Sequence, residues 1–180
     1  FFRVDYEPEN WDRLGGAVAR LELPATDRLG LVDDAYALVR AGLQPAARCL
    51  ELAEQYRNER DATVWGDLAG SFYGLETLLL DQPYLPLLDR FVQDLVRPVA
   101  REVGWEPQAN EGHLGALRRS IVLGLAGAFR NPEVVAEAKA RFQRYLADPS
   151  SLRPDLRAVV IGIAGQEGDR ATYDRLWDLA

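Results

Sequence analysis

The sequence predicts an all-α fold in which antiparallel helix pairs stack as a HEAT- or armadillo-like α-solenoid, preceded by one short β-strand. After Pro8, apolar residues recur at helical spacing between Pro and Gly breaks, which indicates about nine helices. Two similar apolar segments, LRRSIVLGLAG from Leu117 and LRAVVIGIAG from Leu156, lie about 39 residues apart, a spacing typical of helix-pair repeats. The first six residues alternate in the way expected of a strand.

This strand is predicted at FFRVDY, where Phe2, Val4 and Tyr6 would share one face. No later segment is patterned to pair with it, and an isolated strand leaves its backbone hydrogen-bonding groups unpaired. We therefore expect residues 1–7 to complete a sheet contributed by other chain and residues 8–180 to form a helical domain. Because the sequence contains no methionine and begins with phenylalanine, we expect it to be a truncated piece of a larger protein.

Local signals place the helices in order. Thr26 is the expected N-cap of the second helix, and Gly42 lies where its C-terminus favours a left-handed residue. Pro45 suits the first turn of the third helix, Pro98 is expected to kink or interrupt the fifth, and Asn131 is the expected N-cap of the seventh. The predicted helices span about residues 8–21, 26–41, 45–56, 62–81, 83–103, 111–129, 132–146, 154–164 and 169–180.

Composition excludes several classes of partner. The 21 Lys and Arg residues against 28 Asp and Glu give a net charge of −7. We expect no nucleic-acid partner and no anionic membrane surface, because both require clustered positive charge. No run of about 18 apolar residues is present, so we expect no membrane span. A single cysteine cannot form an internal disulfide, which favours a reducing compartment and a cytoplasmic location.

The same scarcity limits the chemistry. The chain has one histidine, His113, and one cysteine, Cys49, whereas a Cys/His zinc site or an H-E-x-x-H helix needs several ligands. We therefore predict no catalytic residue, metal or cofactor in this segment, and the glycines form no nucleotide-binding loop. His113 is expected to open the sixth helix and to be satisfied by water or a backbone carbonyl. Cys49 is expected to be a small buried apolar group.

Two pairs of adjacent charged residues, Asp33 with Asp34 and Arg118 with Arg119, could have either structural or functional roles. Asp33 and Asp34 are adjacent, so in a helix they point about 100° apart and cannot share a proton. We expect one to face solvent and the other to meet an arginine on a neighbouring helix. Arg118 lies on or beside the sixth helix's apolar stripe, with Arg119 next to it. It either neutralises a carboxylate or projects into a cavity, where it could hold a peptide carboxylate.

The sixth helix has an apolar stripe, and Arg118 lies on or beside it. Its expected inward positions follow helical spacing from the first turn onward: Leu114, Leu117, Ile121, Leu125 and Phe129.

Three stretches resemble a known family. FFRVDYEPENWDRL is similar to the segment where zinc aminopeptidases of the aminopeptidase N family pass from a β-sandwich into a C-terminal helical domain. RLGLVDDAYALVRAG, from Arg28 to Gly42, resembles that family's R-x-x-L-x-D-D-A stretch. VGWEP followed by EGHLGALRRSIVLGLAG is similar to the puromycin-sensitive aminopeptidase branch. The resemblance covers essentially all 180 residues.

The resemblance implies that the chain is a fragment of a zinc metallopeptidase that removes N-terminal residues from peptides. Zinc would be held by an H-E-x-x-H motif and a further glutamate in a catalytic domain outside this segment. The helical part would form a cap that encloses the substrate cavity and controls access. Its partners would be the catalytic and β-sandwich domains of the same parent chain and the peptide substrate, with Arg118 on the cavity wall.

Two other functions remain open at this stage. The first is a stand-alone α-solenoid that binds proteins or peptides as a scaffold, which composition does not exclude. It would be favoured if residues 1–6 folded within a complete, capped array. The second is an unrelated hydrolase that uses His113 as its base, for which His113→Ala would abolish activity.

Overall fold

The computed structural model describes residues 3–178, and all regular structure within that range is helical. The all-α prediction is confirmed for this part of the chain. It contains α1 (Pro8–Ala19), α2 (Ala25–Arg40), α3 (Ala46–Ala53), α4 (Ala62–Leu78), α5 (Leu85–Val103), α6 (His113–Ala128), α7 (Pro132–Ala147), α8 (Pro154–Gln166) and α9 (Arg170–Asp178), with 3-10 turns at Glu54–Asn58 and Pro149–Ser151. The chain divides into two compact units, with the boundary between Leu88 and Asp89.

The first unit is organised around α2 and α4, which pack against each other. Val32 on α2 and Trp65 and Phe72 on α4 are almost completely buried. Helix α3 packs on α2, and α1 packs on the 3-10 turn that continues α3. Asp61 caps α4, because its carboxylate accepts hydrogen bonds from the backbone N–H groups of Thr63 (2.8 Å) and Val64 (3.2 Å).

In the second unit, α8 packs against both α6 and α7. The two similar segments seen in the sequence therefore lie on neighbouring helices. Gly127 on α6 permits their close approach, because a Cβ there would lie 2.2 Å from Cδ1 of Ile163 on α8. Asn131 caps α7 as predicted, accepting from the N–H groups of Glu133 and Val134. The solenoid arrangement of the whole chain stays a prediction.

Several local predictions are corrected. Thr26 is not an N-cap, because α2 already begins at Ala25 after Pro24, whose carbonyl accepts the first backbone hydrogen bonds. Helix α3 is short and gives way to a 3-10 turn before Tyr56 is reached, at Glu54. Pro98 does not interrupt α5. It lies on the exposed side of the helix, where water can satisfy the carbonyl that loses its N–H partner.

The segment before α1 forms neither helix nor strand over residues 3–7. Val4 and Tyr6 are half-buried, whereas Arg3, Asp5 and Glu7 are exposed, which is the alternation of an extended chain. The first two residues of the predicted strand lie outside the described residues. Pairing with a sheet, and the division at residues 7 and 8, therefore stay predictions.

Candidate functional site

The start of α6 stands clear of the core. His113 is exposed, and so are Leu114 (64%) and Leu117 (40%) in the first two turns. The prediction that these leucines face inward is wrong. The buried face of α6 begins only at Arg119 and continues through Val122, so the first turns present apolar groups to the surface.

Arg118 lies at the edge of this surface. Its side chain is only 13% exposed, and its Nη2 donates to Oε1 of Glu102 at 3.0 Å. Its Nε is buried with no hydrogen-bond acceptor among the described residues. Of the two predicted roles, neutralising a neighbouring carboxylate is therefore the one visible in the second unit. Its position on a substrate cavity stays a prediction.

Arg119 is the more deeply placed arginine, and its side chain is completely buried. It donates to both carboxylate oxygens of Glu111, and its Nε reaches the carbonyl of Val103 at 3.4 Å. Asp155 on α8 lies 4.0 Å from its Nη1. A buried guanidinium held by a carboxylate ties the chain before α6 to the core of the second unit. Sequence reasoning missed this, although the spacing from Arg119 to Val122, at i and i+3, offered a signal.

Further polar contacts hold the loop that joins α5 to α6. Arg141 on α7 lies over the ring of Trp105, 5.0 Å from its centroid, and donates to Glu106 at 2.7 Å. The side chain of Gln108 donates to the carbonyl of Glu102 at 2.8 Å. Since Glu102 also binds Arg118, the loop and the start of α6 are fixed to each other.

In the first unit, the buried polar centre is the pair of Arg28 and Glu59. Nε and Nη2 of Arg28 donate to the two oxygens of Glu59 at 2.6 and 2.8 Å. Burial would raise the pKa of Glu59, but hydrogen bonds from Arg28 and from the backbone N–H groups of Asp61 and Arg60 lower it below its usual value. Tyr56 adds to this centre by donating to the carbonyl of Arg28 at 2.7 Å. The arginine of the R-x-x-L-x-D-D-A stretch thus has an architectural contact.

The two aspartates of the same stretch share one partner. Arg3 donates to Asp33 and also contacts Asp34 at 3.5 Å. The expectation that one aspartate faces solvent while the other meets an arginine on a neighbouring helix is therefore wrong. The arginine comes from the extended segment before α1, and it can reach both carboxylates because they lie at adjacent positions on α2.

The described residues do not fit a zinc site. No group of three or more His, Cys, Asp or Glu side chains within residues 3–178 is placed to hold a metal ion. The sequence has only His113 as an imidazole ligand. Cys49 is buried, as expected, and burial raises the pKa of its thiol to about 11, so the nucleophilic thiolate is disfavoured at neutral pH.

Taken together, these contacts define an all-α domain whose best-formed polar groups are ion pairs that join one segment to another. The whole chain, residues 1–180, matches the model of the ERAP1-like C-terminal domain, and the chain belongs to this family. It is the C-terminal domain type of the aminopeptidase N family, which confirms the resemblance found in the sequence.

Full-length relatives carry aminopeptidase names. The chain is 30% identical to Aminopeptidase 2 of Candida albicans over 181 residues, covering 99% of this chain and 20% of the relative. It is 32% identical to Aminopeptidase M1-A of Oryza sativa subsp. japonica over 183 residues (98% and 21%) and to Aminopeptidase A of Gloydius brevicauda over 183 residues (99% and 19%). The chain thus spans about a fifth of the length of these relatives. None of the helices within residues 3–178 has the length and apolarity needed to cross a bilayer.

Proposed function

We propose that this chain is the helical cap of a zinc-dependent aminopeptidase, a part without catalytic groups that encloses the substrate cavity and controls access to it. The observation that carries the proposal is the match of the whole chain to a C-terminal domain family whose full-length relatives carry aminopeptidase names. The sequence has a single histidine and therefore no H-E-x-x-H motif, so we place the zinc centre in another part of the parent.

The partners follow from this assignment. The cap would contact the catalytic and β-sandwich domains of the same parent chain, with residues 1–7 completing the sandwich. Zinc and the residues that activate water would belong to the catalytic domain, and the substrate would be a peptide. The α-solenoid arrangement would provide the curved wall that an enclosing cap needs. The single cysteine is what supports a cytoplasmic location.

Arg118 is the residue we propose for the cavity wall. Arg118 follows Leu114 by one helical turn and is adjacent in sequence to Leu117, and both leucines are exposed, so cationic and apolar residues occur together at the start of α6. An extended peptide presents carboxylates and apolar side chains, which are the groups that such a surface can bind. The ion pair with Glu102, which is 52% exposed, would exchange for a substrate carboxylate.

The first test separates the cap from the catalytic centre. The purified 180-residue chain, with and without added zinc, is assayed on an aminoacyl nitroanilide. The expected result is no chelator-sensitive hydrolysis, because a sequence with a single histidine contains no H-E-x-x-H motif. Chelator-sensitive cleavage by the pure chain would contradict the proposal, and tight binding of peptides by the isolated chain without any parent activity would favour the scaffold alternative.

The second test concerns Arg118 in the full-length parent. Arg118→Ala is compared with Arg170→Ala, which removes an arginine that is 83% exposed and whose ion pair, with Asp174, lies within α9. We expect Arg118→Ala to raise KM for long peptides while kcat/KM for the small nitroanilide stays unchanged. Arg170→Ala should alter neither. Equal kinetics of the two variants on long peptides would remove Arg118 from the cavity wall.

A further inference from the structure

The extended segment before α1 is held on the first unit by several side chains, among them Tyr6, whose ring packs edge-on against Trp11 with centroids 5.0 Å apart. Arg3 contacts Asp33 and Asp34 on α2. Asp5 accepts two hydrogen bonds from the amide of Gln44, at 2.9 and 3.1 Å, just beyond the end of α2. Since residues 3–7 belong to neither helix nor strand, side-chain contacts hold them in place, and the polar ones are those of Arg3 and Asp5.

A third carboxylate, that of Asp67 on α4, lies close enough to Asp33 and Arg3 to interact with their charges. Its Oδ2 is buried with no hydrogen-bond partner among the described residues. Burial and the neighbouring charge of Asp33 raise the pKa of Asp67, and the charge of Arg3 opposes this shift. The Cys49 thiol and the Tyr56 hydroxyl also interact electrostatically with Asp67. Their pKa values are raised, so both groups are neutral near neutral pH and do not compensate the Asp67 charge.

Arg3 is therefore the cation that compensates carboxylates from two different helices. Without it, the charge of Asp33 would repel that of Asp67 unopposed between α2 and α4. The contact is exposed enough to exchange with water, since the Arg3 side chain is 32% exposed. A contact of this kind can open and close without unfolding the helices beneath it.

We propose that residues 3–7 act as an electrostatic strap, in which Arg3, bound by Asp33 and Asp34 and facing Asp67, fixes the direction in which preceding chain meets the helical domain. The inference rests on the proposed function, because a strap of this kind matters only where another domain precedes it. In a cap that opens and closes, residues 3–7 act as the hinge. Release of Arg3 from Asp33 and Asp34 lets the helical domain rotate relative to the preceding domain.

The strap is tested on the 180-residue chain by limited digestion with chymotrypsin, which cuts after aromatic residues. The readout is the rate of cleavage of the Tyr6–Glu7 bond, identified by mass spectrometry. The double variant Asp33→Asn with Asp34→Asn leaves the cut segment unchanged. Cleavage should accelerate about two- to fivefold, which is the opening expected on losing a partly exposed ion pair.

A matched control and a rescue sharpen the result. Arg57→Gln removes an arginine that pairs with Glu54 only one turn away and should leave the cleavage rate unchanged. Arg3→Gln should accelerate cleavage as the double aspartate variant does. Exchanging the charges, with Arg3→Asp and Asp33→Arg together, should bring the rate back towards that of the original chain.

Carboxyl-carbon NMR of Asp67 gives an independent readout on folded protein. In Arg3→Gln the pKa of Asp67 should rise, and in Arg57→Gln it should not move. Unchanged cleavage in both strap variants together with an unmoved Asp67 titration would overturn the proposal. Neither measurement involves catalysis, so a working strap in a parent without peptidase activity would refute the proposed function alone.

Discussion

The close approach of α6 and α8 at Gly127 makes Gly127→Ala an informative substitution. A Cβ at Gly127 would lie 2.2 Å from Cδ1 and 2.3 Å from Cγ1 of Ile163, where apolar carbons need about 3.5 to 4.0 Å. Ile163 is 3% exposed and Gly127 is buried, so neither side can move into solvent. Overpacking of this kind costs about 1–3 kcal/mol. Replacing a helical glycine gains back about 1 kcal/mol.

We therefore expect Gly127→Ala to lower the free energy of unfolding by up to about 2 kcal/mol, which is the cost of the clash less the gain from replacing a helical glycine. Urea denaturation followed by far-UV circular dichroism measures this change. The control is Gly124→Ala, one turn earlier on α6, where the nearest atom to a Cβ is Cγ2 of Val159 at an ordinary 3.8 Å. That variant should be as stable as the original chain or more stable.

A double substitution identifies the clash as the cause. Ile163→Ala removes both atoms that a Cβ at Gly127 would meet. Combined with Gly127→Ala, it should be more stable than the sum of the single effects by at least about 1 kcal/mol. If Gly127→Ala proved as stable as Gly124→Ala, or if the two substitutions were simply additive, the close packing of α6 on α8 would be refuted.

Three further predictions concern the polar groups. Glu59→Gln should destabilise the chain by about 3 kcal/mol near neutral pH, because Arg28 loses its buried partner. Folding lowers the pKa of Glu59, so its contribution to the free energy of unfolding is complete above about pH 4.3 and is lost as the pH falls through the pKa of the folded state. Denaturation curves at different pH should therefore show a smaller loss of stability in acid for Glu59→Gln than for the original chain. Arg119→Ala should lower the free energy of unfolding by about 3 kcal/mol and Arg118→Ala by about 1 kcal/mol or less, because the ion pair of Arg119 is the more deeply buried. Equal losses for the two variants in urea denaturation would contradict this difference. Asn131→Ala should lower thermal stability by about 1 kcal/mol through loss of the α7 cap, and an unchanged midpoint would argue against that cap.

Much of the fold follows from short-range signals. The helix starts at Pro8, Pro132 and Pro154 follow from the preference of proline for the first turn. Gly42 adopts the left-handed conformation, with φ of 71°, that its place after α2 predicts. These features depend only on neighbouring residues, so the sequence is sufficient to predict them.

Features that depend on distant residues were not predictable in this way. Leu114 and Leu117 continue the apolar spacing of α6 but project beyond the helices that cover its later turns. Arg119 occupies a core position because Glu111, from the preceding loop, folds back to neutralise it. Spacing along one helix cannot show which of its turns another element will cover, or which carboxylate will arrive from a loop.

For the candidate site, the family resemblance placed the chain correctly, while individual residue roles needed the structure. The pairing of Arg3 with Asp33 and Asp34 gives the D-D-A motif a physical purpose that its adjacent carboxylates alone do not indicate. Likewise, the burial of Arg28 is explained by its ion pair with Glu59, which lies 31 residues away in the sequence. Both motif contacts are architectural.

The central claim is that this chain is the cap of an aminopeptidase and that catalysis lies elsewhere in the parent. The most direct measurement compares chelator-sensitive hydrolysis of an aminoacyl nitroanilide by the full-length parent and by the isolated chain, with bound zinc determined in each. The account predicts zinc and activity in the parent and neither in the isolated chain. Zinc-dependent activity in the isolated chain, or none in the parent, would contradict it.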